Sequence, residues 1–485
     1  MKNLLKLFYL GAITLLLINC SKEYQIPNNL VVHDFVWKGL NAYYLHQDEI
    51  ADLSDRRFNS DQQLNAYLTG FADYNTLFSS LLLSTDEKSM LIEDYTNLDL
   101  DIPRSAFVNG MEFGIVAQPN TTTNTVIGYV THILPNSNAA SKNLQRGEFF
   151  NAVNNILLTE DNYFDLLING DTSYTLNMVD FDGTTVTPNA KTVVLDKENY
   201  DYDTTFLEKT FNIGSDNIGY LMYNNNLSKS SINNLNNTFL NFKNQNINEL
   251  VLDLRYNITG GSFAKNITNL ATMITGQFTD EVFIKEEWNS KAQPWFLENQ
   301  PDSLLTKFPA KLNPSTDFNS LNLTEVYIIL NGDSFSASSA IELLINSLKP
   351  YINVHIVGTA TNGNNTGSIT LYNSQDYDIE LKNNTHTVAL QPVVLSFYNK
   401  DDQTYNEGFT PTIATCPNED ILNLGFIGER SEPILDKVLE YISTGNLGTN
   451  VTCNPNNFIY LYKSIDTQRE LDNGVFIKQD LPNTY

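Results

Sequence analysis

Basic residues are scarce in this chain. Its 485 residues carry 29 lysines and arginines against 56 aspartates and glutamates, a formal net charge of −27. That balance repels a phosphate backbone, and no basic stripe interrupts it, so no nucleic-acid partner is expected. Cysteine is rarer still. The three cysteines and five histidines form no cluster at zinc spacing, and no metal or cofactor is expected. Heptads are missing, which removes a coiled coil. The apolar run Leu7 to Ile18 is too short for a comfortable transmembrane helix. A hydrophobic share of 41% is nevertheless enough for real cores. At roughly 100–200 residues per domain, the length implies two or three domains. Asparagine is abundant, as in Ile232 to Asn237, and reads as solvated surface.

The chain is organised around Val326 to Ile369. Val326 to Leu330 reads as a buried strand, followed by a turn at Asn331-Gly332-Asp333. Ser334 to Ser339 leads into an apolar segment with helical spacing, Ala340 to Leu348. A second strand, Val354 to Gly358, follows, and Thr361 to Ser368 closes the unit. A serine between a strand and a helix is usually an N-cap. The same place also suits a nucleophile, at the positive end of the helix dipole beside N–H groups without helical partners.

These residues resemble the active-site segment of the S41 peptidases, the C-terminal processing or tail-specific proteases. The run Glu342-Leu343-Leu344-Ile345-Asn346 matches the part after the family's serine and places the nucleophile at Ser339. Gly358-Thr359-Ala360-Thr361-Asn362-Gly363 matches the approach to the lysine base, whose position falls on Asn364. Asparagine cannot take a proton at neutral pH, so the resemblance keeps the nucleophile and loses the base. Glu249 to Asn257, followed by Ile258-Thr259-Gly260-Gly261, resembles the family's oxyanion segment with one residue more before the glycines. By resemblance, Gly260, Gly261 and the amide of Ala340 are the oxyanion donors, while Asp253 and Arg255 read as a structural ion pair. Among possible substitutes for the lysine, His355 and His386 read as core histidines, and Lys349 should point away. Ser368 stands where some members place a glutamine that orients the base. Thr387 to Phe397 and Asn406 to Pro411 match the closing part of the family.

The remaining segments fit that resemblance. Met1 to Lys6 is a short basic start, and Leu17-Ile18-Asn19-Cys20 resembles a bacterial lipobox, with Asn19 where a small residue is usual. Lipidation at Cys20 would make the protein a cell-envelope lipoprotein, at the outer membrane. Val31 to Asn97 reads as helical and resembles the N-terminal helical domain of S41-type lipoproteins of the Bacteroidetes. Phe107 to Leu195 reads as β structure, and Phe113 to Val116 with Gly128 to Asn154 resembles a PDZ domain. Such a domain adds a peptide as a strand and receives its C-terminal carboxylate in a backbone loop. The resemblance places that loop near Phe113, Gly114 and Ile115; packing on the next domain is the plainer role. Cys416 and Cys453 are one disulfide or two buried thiols.

The expected architecture is an α/β multidomain protein. It comprises a lipoprotein signal peptide (1–20), a helical domain (21–104), a PDZ-like β domain (105–200), an S41, ClpP/crotonase-like α/β domain (205–445) and a C-terminal extension (446–485). Two functions fit: a serine peptidase acting on peptide or unfolded-protein C-termini, or an inactive relative that binds peptides.

Overall fold

The computed structural model describes residues 26–98, 105–201, 206–224, 227–257, 262–330, 338–446, 458–464 and 474–477. Cys20, Cys453, Gly260 and Gly261 lie outside them. The first unit has three helices, α1 (Val31–Tyr43), α2 (Asp61–Leu68) and α3 (Tyr74–Ser80). Helix α1 forms because apolar residues recur on its inner stripe: Phe35, Val36, Leu40 and Tyr43 are buried. Caps start the other two. The Ser60 hydroxyl accepts from Gln63 N–H, and the Asp73 carboxylate accepts from Thr76 N–H at 2.7 Å. The helical reading misses strand β1 (Met90–Ile92), which pairs antiparallel with Ala389–Gln391 and ties this unit to the last third of the chain.

The second unit is a β sheet. It contains β2 (Ser105–Val108), β3 (Met111–Ala117), β4 (Val126–Ile133), β5 (Phe149–Val153), β6 (Ile156–Leu157), α4 (Tyr163–Leu167), β7 (Ser173–Phe181), β8 (Val186–Asp196) and β9 (Glu198–Asp201). Strands β3, β4, β5, β7 and β8 neighbour one another in that order, all antiparallel. Phe113, Ile115, Val130, Phe150 and Leu176 fill its core, facing α4 residues Tyr163 and Leu167.

The third unit opens with β10 (Phe206–Ile213), β11 (Asp216–Tyr223), α5 (Lys229–Asn244), β12 (Glu249–Asp253), β13 (Ser262–Phe263) and α6 (Ala264–Thr275). It continues with β14 (Val282–Trp288), α7 (Ala292–Asn299), β15 (Leu305–Lys307), β16 (Glu325–Ile329), α8 (Ser339–Leu348), β17 (Asn353–Gly358) and β18 (Thr366–Ser368). Then come β19 (Leu371–Tyr372), β20 (Ala389–Gln391), β21 (Val393–Tyr398), β22 (Ile413–Ala414) and α9 (Pro433–Thr444). Its main sheet has the order β10-β11-β12-β16-β17-β22, parallel from β11 onward. The strands read as continuous apolar runs because both faces are covered, by α8 and its neighbours on one side and α9 on the other. Ligand sites in such sheets lie beyond the carboxyl ends of the strands. Here β12, β16 and β17 all deliver their next residues to that edge.

Residues past 446 do not form a unit of their own among the described residues. Strand β23 (Tyr460–Lys463) joins the second unit, and β24 (Val475–Phe476) enters the third. The second sheet of the third unit therefore has the order β13-β24-β18-β21-β14-β15.

The second and third units meet over a buried charged cluster. Arg255 is 1% exposed and holds three carboxylates: Asp253 at 2.9 Å, Glu432 at 2.8 Å and Glu419 at 3.0 Å. The expected Asp253–Arg255 pair is thus half of a larger network. Arg146 reaches across from the β unit to Glu419 at 2.5 Å and to the Tyr256 hydroxyl at 2.6 Å. The His132 ring stacks on Tyr256 with centroids 4.5 Å apart. Burial pushes the His132 imidazole down to about 3, and Arg146 adds to the shift. Burial alone would raise the Glu419 carboxyl, but Arg146 and Arg255 beside it hold it at about 2. Glu432 is moved the same way, its burial outweighed by Arg255.

Candidate active site

Ser338 and Ser339 divide the two roles open to a serine at this helix start. Ser338 is the N-cap of α8, its hydroxyl accepting from Ile341 N–H at 3.4 Å. Ser339 is the first helical residue, so its side chain is released from capping. The N–H groups of Ser339 and Ala340 lie in the first turn, where the helix supplies no acceptor. Only 2% of Ser339 is exposed.

Asn364 Nδ2 lies 2.7 Å from Ser339 Oγ. Two neighbours fix the amide's orientation. Thr366 N–H, which can only donate, faces Asn364 Oδ1 at 3.5 Å, and Thr366 Oγ1 donates to the same oxygen at 2.9 Å. The amide nitrogen is therefore turned to the serine, whose oxygen accepts. Nothing in this pair takes a proton from Ser339.

Glu342 holds the asparagine in place. It sits three residues beyond Ser339 on α8 and is fully buried. One carboxylate oxygen accepts Gly363 N–H at 2.6 Å, and the other accepts Asn364 N–H at 2.7 Å. Gly363 adopts φ +89°, and a Cβ there would meet the Asn406 carbonyl at 2.2 Å. The loop can approach that backbone only without a side chain. Gly408 reciprocates, its missing Cβ facing the Thr361 carbonyl at 2.0 Å. Burial, with Glu342 close by, pushes the Tyr405 hydroxyl well above its ordinary value, so it stays protonated behind the loop. Glu342 was visible in the sequence only as part of a motif match. Its grip on two successive amides depends on the Gly363 turn, which brings both N–H groups to one side. Glu342→Gln would set an amide N–H₂ against one of those donors. We expect a loss of roughly 1–3 kcal/mol, read as a lower urea midpoint, because a buried donor is left unpaired.

The other residues singled out in the sequence lie elsewhere. His355 bonds Glu325 at 2.9 Å and stacks on Tyr327, toward the start of the parallel strands. His386 bonds Asn373 at 2.8 Å beneath the N-terminal helices. Lys349 caps the far end of α8 and lies over the Phe409 ring at 4.9 Å. Ser368 is buried in β18, where its carbonyl accepts Ile477 N–H at 3.2 Å. Cys416 is disulfide-bonded. Phe113, Gly114 and Ile115 are not in a loop. They lie within β3, paired on one side with β4 and on the other with β23.

Residues 217–415 match the model of peptidase family S41. This chain carries a peptidase family S41 domain. The matched span runs from β11 to the segment after β22 and contains both Ser339 and Asn364. An S41 protease structure from Bacteroides fragilis NCTC 9343 overlays with a TM-score of 0.65 at 21% identity, covering 87% of this chain and 99% of that one. The likeness shows that the S41 fold extends with its flanking units over most of the sequence. The photosystem II D1 C-terminal processing protease is a looser neighbour, with a TM-score of 0.42 at 14% identity over 81% of this chain and 94% of that chain. No curated protein matches the chain. Within the S41 domain Ser339 and Asn364 are 25 residues apart in sequence and in hydrogen-bond contact.

Proposed function

We propose that this chain is an S41-fold protein of the cell envelope that binds extended polypeptide and does not turn it over. One observation supports the reading above all: the bond from Asn364 Nδ2 to Ser339 Oγ at 2.7 Å, with the amide oxygen engaged by Thr366. A serine nucleophile needs a group that removes its proton as the bond to carbon forms. Here the neighbour is a donor. Among the described residues His355, His386 and Lys349 are all engaged away from Ser339. A serine peptidase is the alternative, favoured only by the placement of Ser339 in the first turn of α8.

The polypeptide ligand follows from the fold family and from the β unit, which we read as PDZ-like. Attachment to the outer membrane through a lipid on Cys20 belongs to the same proposal and is supported by Leu17-Ile18-Asn19-Cys20. A disulfide between Cys416 and Cys453 would suit that compartment.

The test is covalent labelling with a fluorophosphonate probe. The wild type should react no faster than Ser339→Ala, and unfolded casein should survive prolonged incubation. Rapid labelling that disappears in Ser339→Ala overturns the reading.

A further inference from the structure

The edge of β3 is where a PDZ-like sheet would take its peptide. In this chain that edge is occupied. Strand β23 lies antiparallel along it, with Tyr460 opposite Val116, Tyr462 opposite Ile115 and Lys463 opposite Gly114. Ala117 N–H donates to the Ile459 carbonyl at 2.9 Å. Tyr462 enters the groove between β3 and α4, with its ring 5.7 Å from Phe113, 5.8 Å from Tyr163 and 6.0 Å from Phe164. Leu461 packs on the same core, and Tyr460 on the cluster of Val116, Ile421 and Leu424.

The end of the groove is chemically distinctive. Ser464 sits where a ligand's last residue would lie. Phe113 N–H donates to its hydroxyl at 2.9 Å, and that hydroxyl donates to Glu112 Oε2. Glu112 is 4% exposed. A carboxylate terminus at this point would meet a buried carboxylate, whereas a serine side chain satisfies both partners. The groove is built for an internal segment, not for a free C-terminus.

A second stretch of the same tail enters the second sheet of the third unit. Strand β24 runs parallel between β13, which follows Gly261 in sequence, and β18, which starts two residues after Asn364. Val475 and Phe476 are buried there.

We propose that residues 458–464 and 474–477 are the chain's own peptide ligand: they fill the β3–α4 groove and the strand position between β13 and β18, and an extended internal polypeptide segment carrying a buried aromatic and, two residues on, a serine competes for the groove. This rests on the peptide-binding reading above. A tethered strand has an effective concentration in the millimolar range, so an outside peptide binds well only when the tail yields. The recognition is strand addition with side chains selecting the partner.

The probe is a fluorescein-labelled, C-terminally amidated peptide with the sequence of residues 458–464, titrated into the full chain. Leu461→Asp with Tyr462→Asp expels the resident strand. The expelled variant should bind the amidated peptide roughly 100-fold tighter than the wild type, the gap that tethering creates. The same peptide with a free carboxylate should bind more weakly, and Glu112→Gln should narrow that difference. Equal affinity in wild type and a folded variant, or preference for the free carboxylate, overturns the proposal. Should the variant not fold, hydrogen exchange in the wild type decides. The Ala117 and Phe113 amides should exchange well before those of β4 and β5, and added peptide should slow them. Exchange of all of them together, only on global unfolding, overturns it. Inertness of Ser339 is read separately by probe labelling, so a failure of strand exchange leaves that half of the functional reading standing.

Discussion

Asn364→Lys should make Ser339 react. In the wild type the side chain at 364 already reaches the hydroxyl at 2.7 Å, and the backbone beneath it is fixed by the two bonds to Glu342. Both oxygens of Glu342 already accept those amides, and its charge opposes, without cancelling, the effect of burial on the new amine. Burial lowers a lysine pKa and yields the neutral amine that serves as base. Positioned general bases contribute roughly 10²–10⁴-fold, so a gain of about 10² in the second-order rate of fluorophosphonate labelling is a fair expectation for an unevolved site. The rate should climb with pH as the amine loses its proton. Asn364→Gln, which restores length without basicity, should gain nothing. Because Ser339 is 2% exposed, labelling is followed to long times with Ser339→Ala as the blank. A folded Asn364→Lys protein that labels no faster than Asn364→Gln would end the idea that only the base is missing.

Mild acid should loosen the joint between the β unit and the S41 domain. The His132 imidazole is held near 3 when folded but returns to its ordinary 6.5 when the chain unfolds. Between those values the unfolded chain binds the extra proton, so stability falls as pH drops through 6.5. Glu419, held at about 2 against an ordinary 4.5, adds a second loss as pH drops through 4.5. His33 and His386, lowered by burial, act in the same direction as His132. Glu249 opposes them. Burial and the neighbouring Glu325 raise it to about 7, so it gains relative stability as pH falls below that value, but it is half-exposed and counts for less. At about 1.4 kcal/mol per pKa unit, His132 alone is worth on the order of 3 kcal/mol by pH 4. Urea midpoints measured from pH 7.5 to 4 should fall steadily. His132→Phe, which keeps a ring against Tyr256, should flatten the upper part of that slope. Midpoints unchanged between pH 7 and 4 would show that the cluster does not control stability.

The serine pair was legible because it is local. Strand, cap and helix follow one another from Val326 to Leu348, and Asn364 is one short strand further on. The three N-terminal helices were legible through the periodic burial of residues such as Phe35, Leu40 and Leu77. Strand β1 was not, because three residues carry no period and their partner lies in β20. The Arg146–Glu419–Arg255 cluster joins segments that share no sequence signal. The tail was the largest omission. Tyr460 to Ser464 follows an asparagine-rich stretch, and its partner Phe113 lies 351 residues earlier. Strand addition leaves almost no trace in the added strand beyond a few apolar positions. The same pairing covers the segment near which the resemblance places the carboxylate loop, at Phe113, Gly114 and Ile115: a strand hydrogen-bonded on both edges looks identical in sequence to one with an open edge.

Strand β24 has a consequence for how the molecule is made. It is an interior strand, with β13 on one side and β18 on the other, yet both neighbours precede it by a hundred residues or more in the chain. Until Gly474 to Ile477 are in place, the folding protein carries a gap in the middle of a sheet, with two unsatisfied backbone rows. An open pair of edges of this kind invites strand pairing with another chain, and late closure by the tail removes it.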